Sequence, residues 1–522
     1  MKKFLSIIAI LSASCLIFGA CSAVPGDDDR FNNSGSMRPG HSSGNSDNDG
    51  FFDTEGPSSG AGGAEWDSPD TAPDGGFHYE SVKEVGFIEV SKEASSYFSL
   101  DRNTASYSHV RSMIESGYKV YEDSVRIEEM INYFDYDFTA PADKAVAIST
   151  ALADCPWNEE NKIMSVGLKT TEVKNENNAN YVFLIDVSGS MSGDKRLNLA
   201  KKGFNMLLDG LGEKDVVSIV TYASGVKTVL SGEDCTEEGK AEIRSKISSL
   251  VAKGATSGGD GLERAYNIAQ QHFIPDGNNR VIIISDGDFN VGMSSPTQLK
   301  EFIQEKAKSG IYLSVIGVGM GNMRDDILET LATCGNGNYA YLDNENEARK
   351  VFVDELTGNL FTVAKDAKAG VTFTDAVEKY RLIGYDAKRI SQDDFNNNDA
   401  DTGEIGSNLC VTALYEVVLA ESADGKLADV EVKYKDVTGE EEVNESVTCT
   451  VDIDTPSSDD LSFISCVAEF GLILRNSAYK GTASLSSVLT RLNDLSEYIN
   501  GDTYKQEFVT LVGKASELSY YN

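Results

Sequence analysis

The chain has 522 residues, of which 40% are hydrophobic and 9% aromatic, so it can form two or three domains with sizeable cores. Its 83 acidic and 46 basic residues give a formal net charge of -37. Such a charge repels phosphate backbones and argues against a nucleic-acid partner, while it suits a soluble surface protein and attracts divalent cations weakly.

The N-terminus is predicted to be a signal sequence. Lys2 and Lys3 precede an apolar core at about 4–18, and two small residues stand directly before Cys21. The apolar stretch is short, and no later segment reaches the ~20 apolar residues that span a bilayer. This arrangement resembles a bacterial lipobox, which implies a diacylglycerol anchor on Cys21 and a protein held outside the cytoplasm at the cell membrane or outer membrane. An ordinary secretory signal is the alternative.

The region after the signal peptide (1–20) is predicted to be disordered. Residues 21–85 are rich in Ser, Gly, Asp, Asn and Pro, and such a composition cannot bury enough apolar surface to fold. We interpret 21–85 as a flexible tether. The N-terminal flank, 86–176, then combines helical spacing within 100–135 with strand-like alternation over 145–172.

The central region, 177–362, alternates between strand-like and helical patterns. Strands are predicted at 181–186, 215–222, 280–285, 311–318 and 338–342. Helices are predicted at 194–210, 237–250, 258–273, 296–309, 324–334 and 345–358. This alternation implies an α/β fold with a doubly wound, mostly parallel sheet. Near-continuous apolar runs such as VIIIS are typical of strands that are buried on both faces.

The two flanks of this region are predicted to form one β-sandwich. Residues 363–455 are strand-like throughout, and helices return in the C-terminal region, 456–522. Neither 145–172 nor 364–452 supplies enough strands for a sandwich with covered edges. We therefore expect the flanks to pair with each other, so that the α/β domain is inserted into their sandwich, with the helices packed alongside.

Polar residues follow the predicted strands at one edge of the sheet. Asp186, Ser188 and Ser190 lie in DVSGSMS after the first strand, Thr256 lies in a glycine-rich loop, and Asp286 directly follows VIIIS. Because ligands of open α/β sheets bind at the carboxyl ends of the strands, these side chains should meet in one crevice. Two carboxylates and three hydroxyls are hard oxygen ligands, which predicts a site for Mg²⁺, or for Mn²⁺ or Ca²⁺. An open coordination position could accept a partner's carboxylate.

These positions resemble the metal ion-dependent adhesion site of the von Willebrand factor A-domain family, over about 177–362. The flanking stretches LDRNTASYSHVRSMIESG, VRIEEMINYFDYDF, GEIGSNLCVTALYE and FISCVAEFGLILRNS are similar to a bacterial subfamily of A-domain lipoproteins, often labelled calcium-activated chloride channel homologues. Ser407 and Asn408 stand where that subfamily usually has Gly and His. The resemblance implies a cell-envelope lipoprotein that binds a protein partner through the metal and an acidic side chain of the partner, and that is not an enzyme.

Two other functions and a second metal site stay open. The first function is a serine hydrolase with Ser192 of GSMSG as its nucleophile, although Met191 stands at the central position that serine has in G-x-S-x-G, the strand ends too early for a nucleophile elbow, and only His272 follows in the chain. A purely structural surface protein is the other function. The acidic segment 393–404 has roughly the length of an EF-hand loop but lacks the glycine at its sixth position, so we interpret it as a solvated loop between strands.

Overall fold

A computed structural model of the chain describes residues 83–100, 103–173, 178–255, 260–275, 277–287, 296–319, 325–355, 362–400, 402–439 and 441–521. The predicted signal peptide, Cys21 and Thr256 lie outside these ranges, as does nearly all of the predicted tether. Within them, no helix is both long enough and apolar enough to cross a bilayer.

The strands and helices of the described residues are as follows. The strands are β1 (Ile88–Glu89), β2 (Ser95–Ser99), β3 (Val146–Asp154), β4 (Lys162–Thr170), β5 (Ala179–Asp186), β6 (Val216–Tyr222), β7 (Val226–Asp234), β8 (Asn278–Ser285), β9 (Ile311–Val318), β10 (Tyr339–Leu342), β11 (Thr362–Phe373), β12 (Val377–Ile383), β13 (Gly403–Gly406), β14 (Cys410–Leu419), β15 (Lys426–Asp436) and β16 (Val443–Asp452). The α-helices are α1 (Ala105–Glu115), α2 (Ile127–Asn132), α3 (Leu197–Gly210), α4 (Glu237–Ser249), α5 (Gly261–Gln271), α6 (Pro296–Lys308), α7 (Asp325–Cys334), α8 (Glu345–Arg349), α9 (Gln392–Asn396), α10 (Asp459–Leu474), α11 (Leu485–Asp494), α12 (Ser496–Ile499) and α13 (Thr503–Glu517).

The central region forms a six-stranded sheet with helices on both faces. Its strand order is β10-β9-β8-β5-β6-β7, and all neighbours are parallel except β6 and β7. Alternate residues of β5 enter two cores, since Phe183 packs with Phe204 of α3 and Leu184 packs with the core that contains Leu262 of α5. The predicted doubly wound sheet is therefore confirmed. The antiparallel edge strand β7 was not predicted, because most of its residues are half-exposed and carry a weak apolar pattern.

Both flanks contribute to each of two further antiparallel sheets. One sheet has the order β1-β12-β14-β4-β3, and the other has the order β13-β11-β15-β16 with β2 beside β11. The β4–β14 and β2–β11 pairs join the N-terminal flank to the C-terminal flank. The buried core residues Val166, Val371 and Tyr415 belong to one cluster between these sheets. The predicted pairing of the flanks is thus observed, with the α/β domain lying in the chain between β4 and β11.

The remaining helices pack together around an aromatic core. Phe134, Phe463 and Phe508 come from the segment after α2, from α10 and from α13, and their ring centroids are 5.0–5.6 Å apart. Helix α10 is apolar on nearly all sides, as a helix enclosed by other elements must be. Trp157, in the connection from β3 to β4, joins this core and is fully buried.

Two predicted elements differ from the observed ones. The predicted helix at 345–358 is α-helical only to Arg349, after which Lys350–Glu355 has π-helical geometry. The predicted solvated loop at 393–404 begins inside helix α9. A reciprocal capping box starts this helix, because the Ser391 hydroxyl accepts a hydrogen bond from the Asp394 N–H while the Asp394 carboxylate accepts one from the Ser391 N–H.

Candidate metal centre

The two predicted aspartate ligands lie at the ends of adjacent parallel strands. Ile185 of β5 pairs with Ile284 of β8, so Asp186 ends one strand and Asp286 follows the next at the same edge of the sheet. Their exposed fractions are 0% and 5%. The fold therefore brings these two carboxylates together as predicted, and it holds them below the protein surface.

The loop after β5 places the two serine hydroxyls beside this pair. The N–H of Ser188 donates to Asp186 Oδ1 at 2.7 Å, which fixes the carboxylate and turns the chain. The Oγ atoms of Ser188 and Ser190 are 2.8 Å apart. A 3₁₀ turn at Gly189–Met191 then buries the Met191 side chain under the loop. Asp186 and both serines thus form one rigid group of oxygen atoms.

A third loop is held against this group by its backbone. The N–H of Lys253 donates to Val187 O at 2.7 Å, and the N–H of Gly189 donates to Gly254 O at 2.9 Å. Gly254 has φ +92°, and a Cβ atom there would lie 2.7 Å from Ser224 Oγ, so this position requires glycine. The loop leads within two residues to Thr256, whose own position lies outside the described residues.

The carboxylates are electrostatically suited to a cation. Asp186 Oδ2 and Asp286 Oδ1 are buried and accept no hydrogen bond of regular geometry from the described residues. Burial raises the pKa of Asp186 to about 6, an effect that hydrogen bonds from Ser188 and from Tyr222 oppose and that the charge of Asp286 increases. Buried carboxylate oxygens without a partner are costly unless a positive charge compensates them. Together with the neighbouring hydroxyls they form an oxygen donor set that fits a hard divalent ion.

Arg196 is a charged neighbour of the site that sequence reasoning did not single out. Its Nη1 donates to the carbonyl oxygen of Ser190 and lies 4.0 Å from Asp286 Oδ2. Arg196 stands six residues after Ser190 in the printed sequence, but its side-chain position depends on Gly319, where a Cβ atom would overlap the arginine. The sequence pattern of one segment does not predict a contact with a residue that is distant in the sequence.

Ser192 and the histidines do not come together in the described structure. Ser192 is exposed on the loop before α3. His272 lies at the C-terminus of α5, and its Nε2 is 3.1 Å from Ser231 Oγ. His109 stacks on Tyr341 with ring centroids 4.0 Å apart. The two histidines of the described ranges thus contact residues other than Ser192, whereas a serine nucleophile uses a neighbouring histidine.

The segment 393–404, which was considered as a second metal site, contacts a buried lysine. The Nζ atom of Lys368, which is 1% exposed, donates to the carbonyl oxygens of Asp394, at 3.0 Å, and of Asn397. A side-chain cation thus uses two of the carbonyl groups at the start of 393–404. Within the described ranges, no group of three or more His, Cys, Asp or Glu side chains could hold a metal, so the pair of aspartates with its hydroxyls is the better candidate.

Comparison with known proteins places the chain in a family. The von Willebrand factor type A domain family matches residues 180–354, a von Willebrand factor family matches 75–165, and the C-terminal family of uncharacterized protein YfbK matches 358–518. The chain is 35% identical over 467 residues to uncharacterized protein YfbK of Escherichia coli (strain K12), which covers 83% of this chain and 80% of that protein. The chain belongs to the YfbK family. The predicted von Willebrand factor A-type domain is confirmed, whereas the lipoprotein and chloride-channel-homologue labels stay predictions.

More distant relatives of this YfbK-family chain match only part of its sequence or are similar in fold. Human inter-alpha-trypsin inhibitor heavy chain H3 is 27% identical over 266 residues, which are 46% of this chain and 29% of that protein. The chain thus spans less than a third of that relative. A solved von Willebrand factor type A protein from Catenulispora acidiphila aligns with 71% of this chain and 89% of its own, at 16% identity and a TM-score of 0.40.

Proposed function

We propose that the chain is a cell-envelope lipoprotein that binds a protein partner through a divalent metal ion, most simply Mg²⁺. The metal would be held by Asp186, Ser188, Ser190, Thr256 and Asp286. One observation carries the proposal: two buried carboxylates at the ends of adjacent strands each have an oxygen without a hydrogen bond of regular geometry from the described residues. Two neighbouring buried carboxylates repel each other unless a cation compensates both.

The residues of the site would present the ion rather than enclose it. Ser188 N–H orients Asp186, and the short Ser188 and Ser190 side chains leave room for further ligands. When bound, the ion supplies a concentrated positive charge that a partner's carboxylate can recognise. The chain as a whole carries a net charge of -37, which repels acidic proteins at long range. We therefore propose that an acidic partner is recognised at short range at this site.

Replacement of one aspartate tests the metal site. In Asp186→Ala we expect affinity for Mg²⁺, Mn²⁺ and Ca²⁺ to fall at least ~100-fold in calorimetry, because one anchor and half of the compensating charge are lost. The fold should persist, since a buried and uncompensated carboxylate is removed and no core cavity opens. Ser192→Ala is the matched control from the same loop and should bind normally. Equal metal binding by Asp186→Ala and wild type would refute the site, and Asp186→Asn serves if the alanine variant does not fold.

Recovery of a partner tests the function. Cell-envelope extracts passed over the immobilised protein should yield a partner in Mg²⁺ but not in EDTA, and Asp186→Ala should not retain it. Esterification of the partner's carboxylates should also abolish binding, because the proposal assigns the contact to an acidic side chain. A partner retained equally in EDTA would mean that binding uses another surface.

Lipid attachment rests on the sequence before the described residues. Lys2, Lys3, the apolar core and Cys21 motivate the proposal that the protein is anchored outside the cytoplasm. Cys21→Ser should release the protein from membranes or block its processing, and labelling with radioactive palmitate should vanish. Cys15→Ser, inside the apolar core, is the control and should be processed and labelled. Unchanged membrane fractionation and labelling of Cys21→Ser would disprove the anchor.

We propose no catalytic role for the loop that carries Ser192. The side chain is exposed, and the ring of His272 contacts Ser231 instead. A fluorophosphonate probe should therefore leave the protein unlabelled. Stoichiometric labelling that disappears in Ser192→Ala would establish a hydrolase.

A further inference from the structure

A polar cavity lies near the ends of the α/β-sheet strands that are opposite to the metal centre. Its volume is about 220 Å³, and its walls come from both the α/β domain and the sandwich. Arg280 of β8, Glu329 of α7 and Asn336 line one side, while Thr362 of β11 and Glu404 of β13 line the other. Arg280 precedes Asp286 by six residues along β8, which is ~20 Å at the usual rise of a strand. The cavity is therefore separate from the metal centre.

Arg280 is a buried cation without a carboxylate partner among the described residues. It is 5% exposed, its Nη1 donates to Ser314 Oγ at 2.7 Å, and its Nε has no partner in the described ranges. Its guanidinium lies 5.6 Å from the ring centroid of Tyr312. Burial lowers the pKa of Arg280, and nearby groups, including the carboxylate of Glu404, offset this only in part. A buried charge in this state is destabilising unless a counter-charge approaches it closely.

The other deeply buried arginines of the described residues are neutralised, as two of them show. Arg111 makes ion pairs with Asp343 and Glu347 at 2.5 and 2.7 Å. Arg381 makes one with Glu416 at 2.7 Å. The fold thus supplies carboxylates where a guanidinium is only structural. Arg280 differs because it faces a cavity, which indicates that its counter-charge is a ligand.

Two carboxylates line the same cavity, and each accepts hydrogen bonds from neutral side chains. Glu329 Oε1 accepts a hydrogen bond from Asn103 Nδ2 at 2.8 Å. Glu404 accepts hydrogen bonds from Asn336 Nδ2 at 3.1 Å and from Thr362 Oγ1 at 3.2 Å. The cavity therefore combines one cationic group with two oriented anionic groups. A simple anion would be repelled by the glutamates, and a simple cation would be repelled by the arginine.

We propose that this cavity binds a small zwitterion with the chemistry of a free α-amino acid. The ligand's carboxylate lies at the Arg280 guanidinium, and its ammonium group lies toward Glu329 and Glu404. The volume of about 220 Å³ holds the equivalent of roughly seven waters at ~30 Å³ each, which suits a molecule of this size. Because the walls belong to both the α/β domain and the sandwich, bound ligand would tie the two together.

Calorimetry on the full chain in EDTA tests this inference independently of the metal site. The probes are glycine, L-alanine and L-glutamate, with acetate, methylamine and inorganic phosphate as single-charge comparisons. We expect at least one amino acid to bind at least ~tenfold more tightly than acetate or methylamine, because only a zwitterion satisfies both ends of the cavity. Absence of binding by all three amino acids overturns the proposal. So does phosphate or acetate binding without amino-acid binding.

Two variants of the cavity and one control assign the binding to these residues. Arg280→Met should abolish amino-acid binding, and Glu404→Gln should weaken it at least ~tenfold. Arg264→Met, which removes an exposed arginine of α5, should change nothing. Without ligand, Arg280→Met should be at least as stable as wild type, since an uncompensated buried charge is removed.

If Arg280→Met does not fold, Arg280→Lys carries the test, because it keeps the charge but loses the planar group that fits a carboxylate. Folded Arg280→Lys should bind at least ~tenfold more weakly than wild type. Amino-acid binding that is unchanged in both Arg280→Lys and Glu404→Gln would place the ligand elsewhere and overturn the proposal.

Discussion

Arg196 puts a positive charge beside the aspartates that are proposed to hold a cation. Its Nη1 lies 4.0 Å from Asp286 Oδ2, and its side chain is 28% exposed. The arginine would oppose a metal ion electrostatically and would attract an acidic partner. The single residue therefore affects metal affinity and partner affinity in opposite directions.

Arg196→Gln separates these two effects. Loss of a like charge near the ion is worth on the order of 1 kcal/mol in water-like surroundings and more in a buried site, so Mg²⁺ affinity should rise at least roughly fivefold. Binding of an acidic partner at saturating Mg²⁺ should weaken by a similar factor. Lys195→Gln, at the exposed neighbour, is the control. A fall in Mg²⁺ affinity would show instead that the hydrogen bond of Arg196 to Ser190 O is needed to order the loop.

At the scale of residues, the sequence predicts those site groups that directly follow strands. Asp186 and Asp286 each end an apolar run, and the pairing of β5 with β8 brings them together. Arg280 has no such signal, because it stands at the start of β8, where three polar residues precede the apolar run. Its significance depends on Glu404, which is 124 residues away and belongs to a different sheet.

Helix α1 connects the helical region to the α/β domain through a buried charge cluster. Arg111 of α1 donates to Asp343, which follows β10, to Glu347 of α8 and to Glu507 of α13. One cation therefore faces three carboxylates. Burial raises the pKa of Glu347 to about 7, and the charge of Asp343 adds to this while Arg111 opposes it. Glu347 Oε1 is buried without a partner within the described ranges, which agrees with a carboxyl that favours its neutral form.

Glu347→Gln should change how stability depends on pH. A carboxyl whose folded pKa is raised contributes stability that is present below its unfolded value and is lost as pH rises through the folded value. In wild type the free energy of unfolding should thus fall by up to ~3 kcal/mol between about pH 4.5 and 8. Glutamine stays neutral, so the free energy of unfolding of the variant, relative to that of wild type, should increase as pH rises from 5 to 8.

Urea denaturation at both pH values measures the gain of Glu347→Gln. Glu345→Gln is the matched control in α8, since Glu345 pairs with Lys202 at the surface. This control should show no comparable change between the two pH values. Equal destabilisation of Glu347→Gln at pH 5 and pH 8 would mean that the carboxylate is ionised and needed throughout.

At the scale of elements, buried strands were predictable and exposed or short ones were not. β8 has eight buried residues in succession, and its apolar run is visible in the sequence. β7 lies at an edge, where side chains need not be apolar. Helix α9 could have been found from its capping box, since Ser391 and Asp394 have the required spacing. The change to π geometry after Arg349 has no comparable sequence signal.

For the whole molecule, the α/β domain and its surroundings should unfold together. Ala105 of α1 is part of a core of the α/β domain, and the His109 ring stacks on Tyr341 of β10. These contacts join the inserted domain to the helices that pack on the sandwich. Both parts contribute to the buried Arg111 cluster, so loss of either part would expose the charged groups of the other.

Trp157 offers a measurement of this coupling. It is fully buried outside the α/β domain, and its Nε1 donates to Glu416 of β14 at 3.2 Å. In a Trp66→Phe protein it is the only tryptophan. Mg²⁺ at 100 times its Kd should stabilise the fold by ~2.7 kcal/mol, and melting followed by Trp157 fluorescence should shift as far as melting followed by circular dichroism. Asp186→Ala should abolish both shifts. A shift in circular dichroism alone would show that the parts unfold separately.

The position of the insertion determines how tension would pass through the protein if, as proposed, it is anchored and holds a partner. The α/β domain lies between β4 and β11, and neither is an edge strand: β4 is bonded to β3 and β14, and β11 is bonded to β13, β15 and β2. β4 and β11 also belong to different sheets. A pull on a captured partner would be shared between two sheets, each loaded through a strand with neighbours on both sides. Many hydrogen bonds would have to break before the domain could be drawn away from its base.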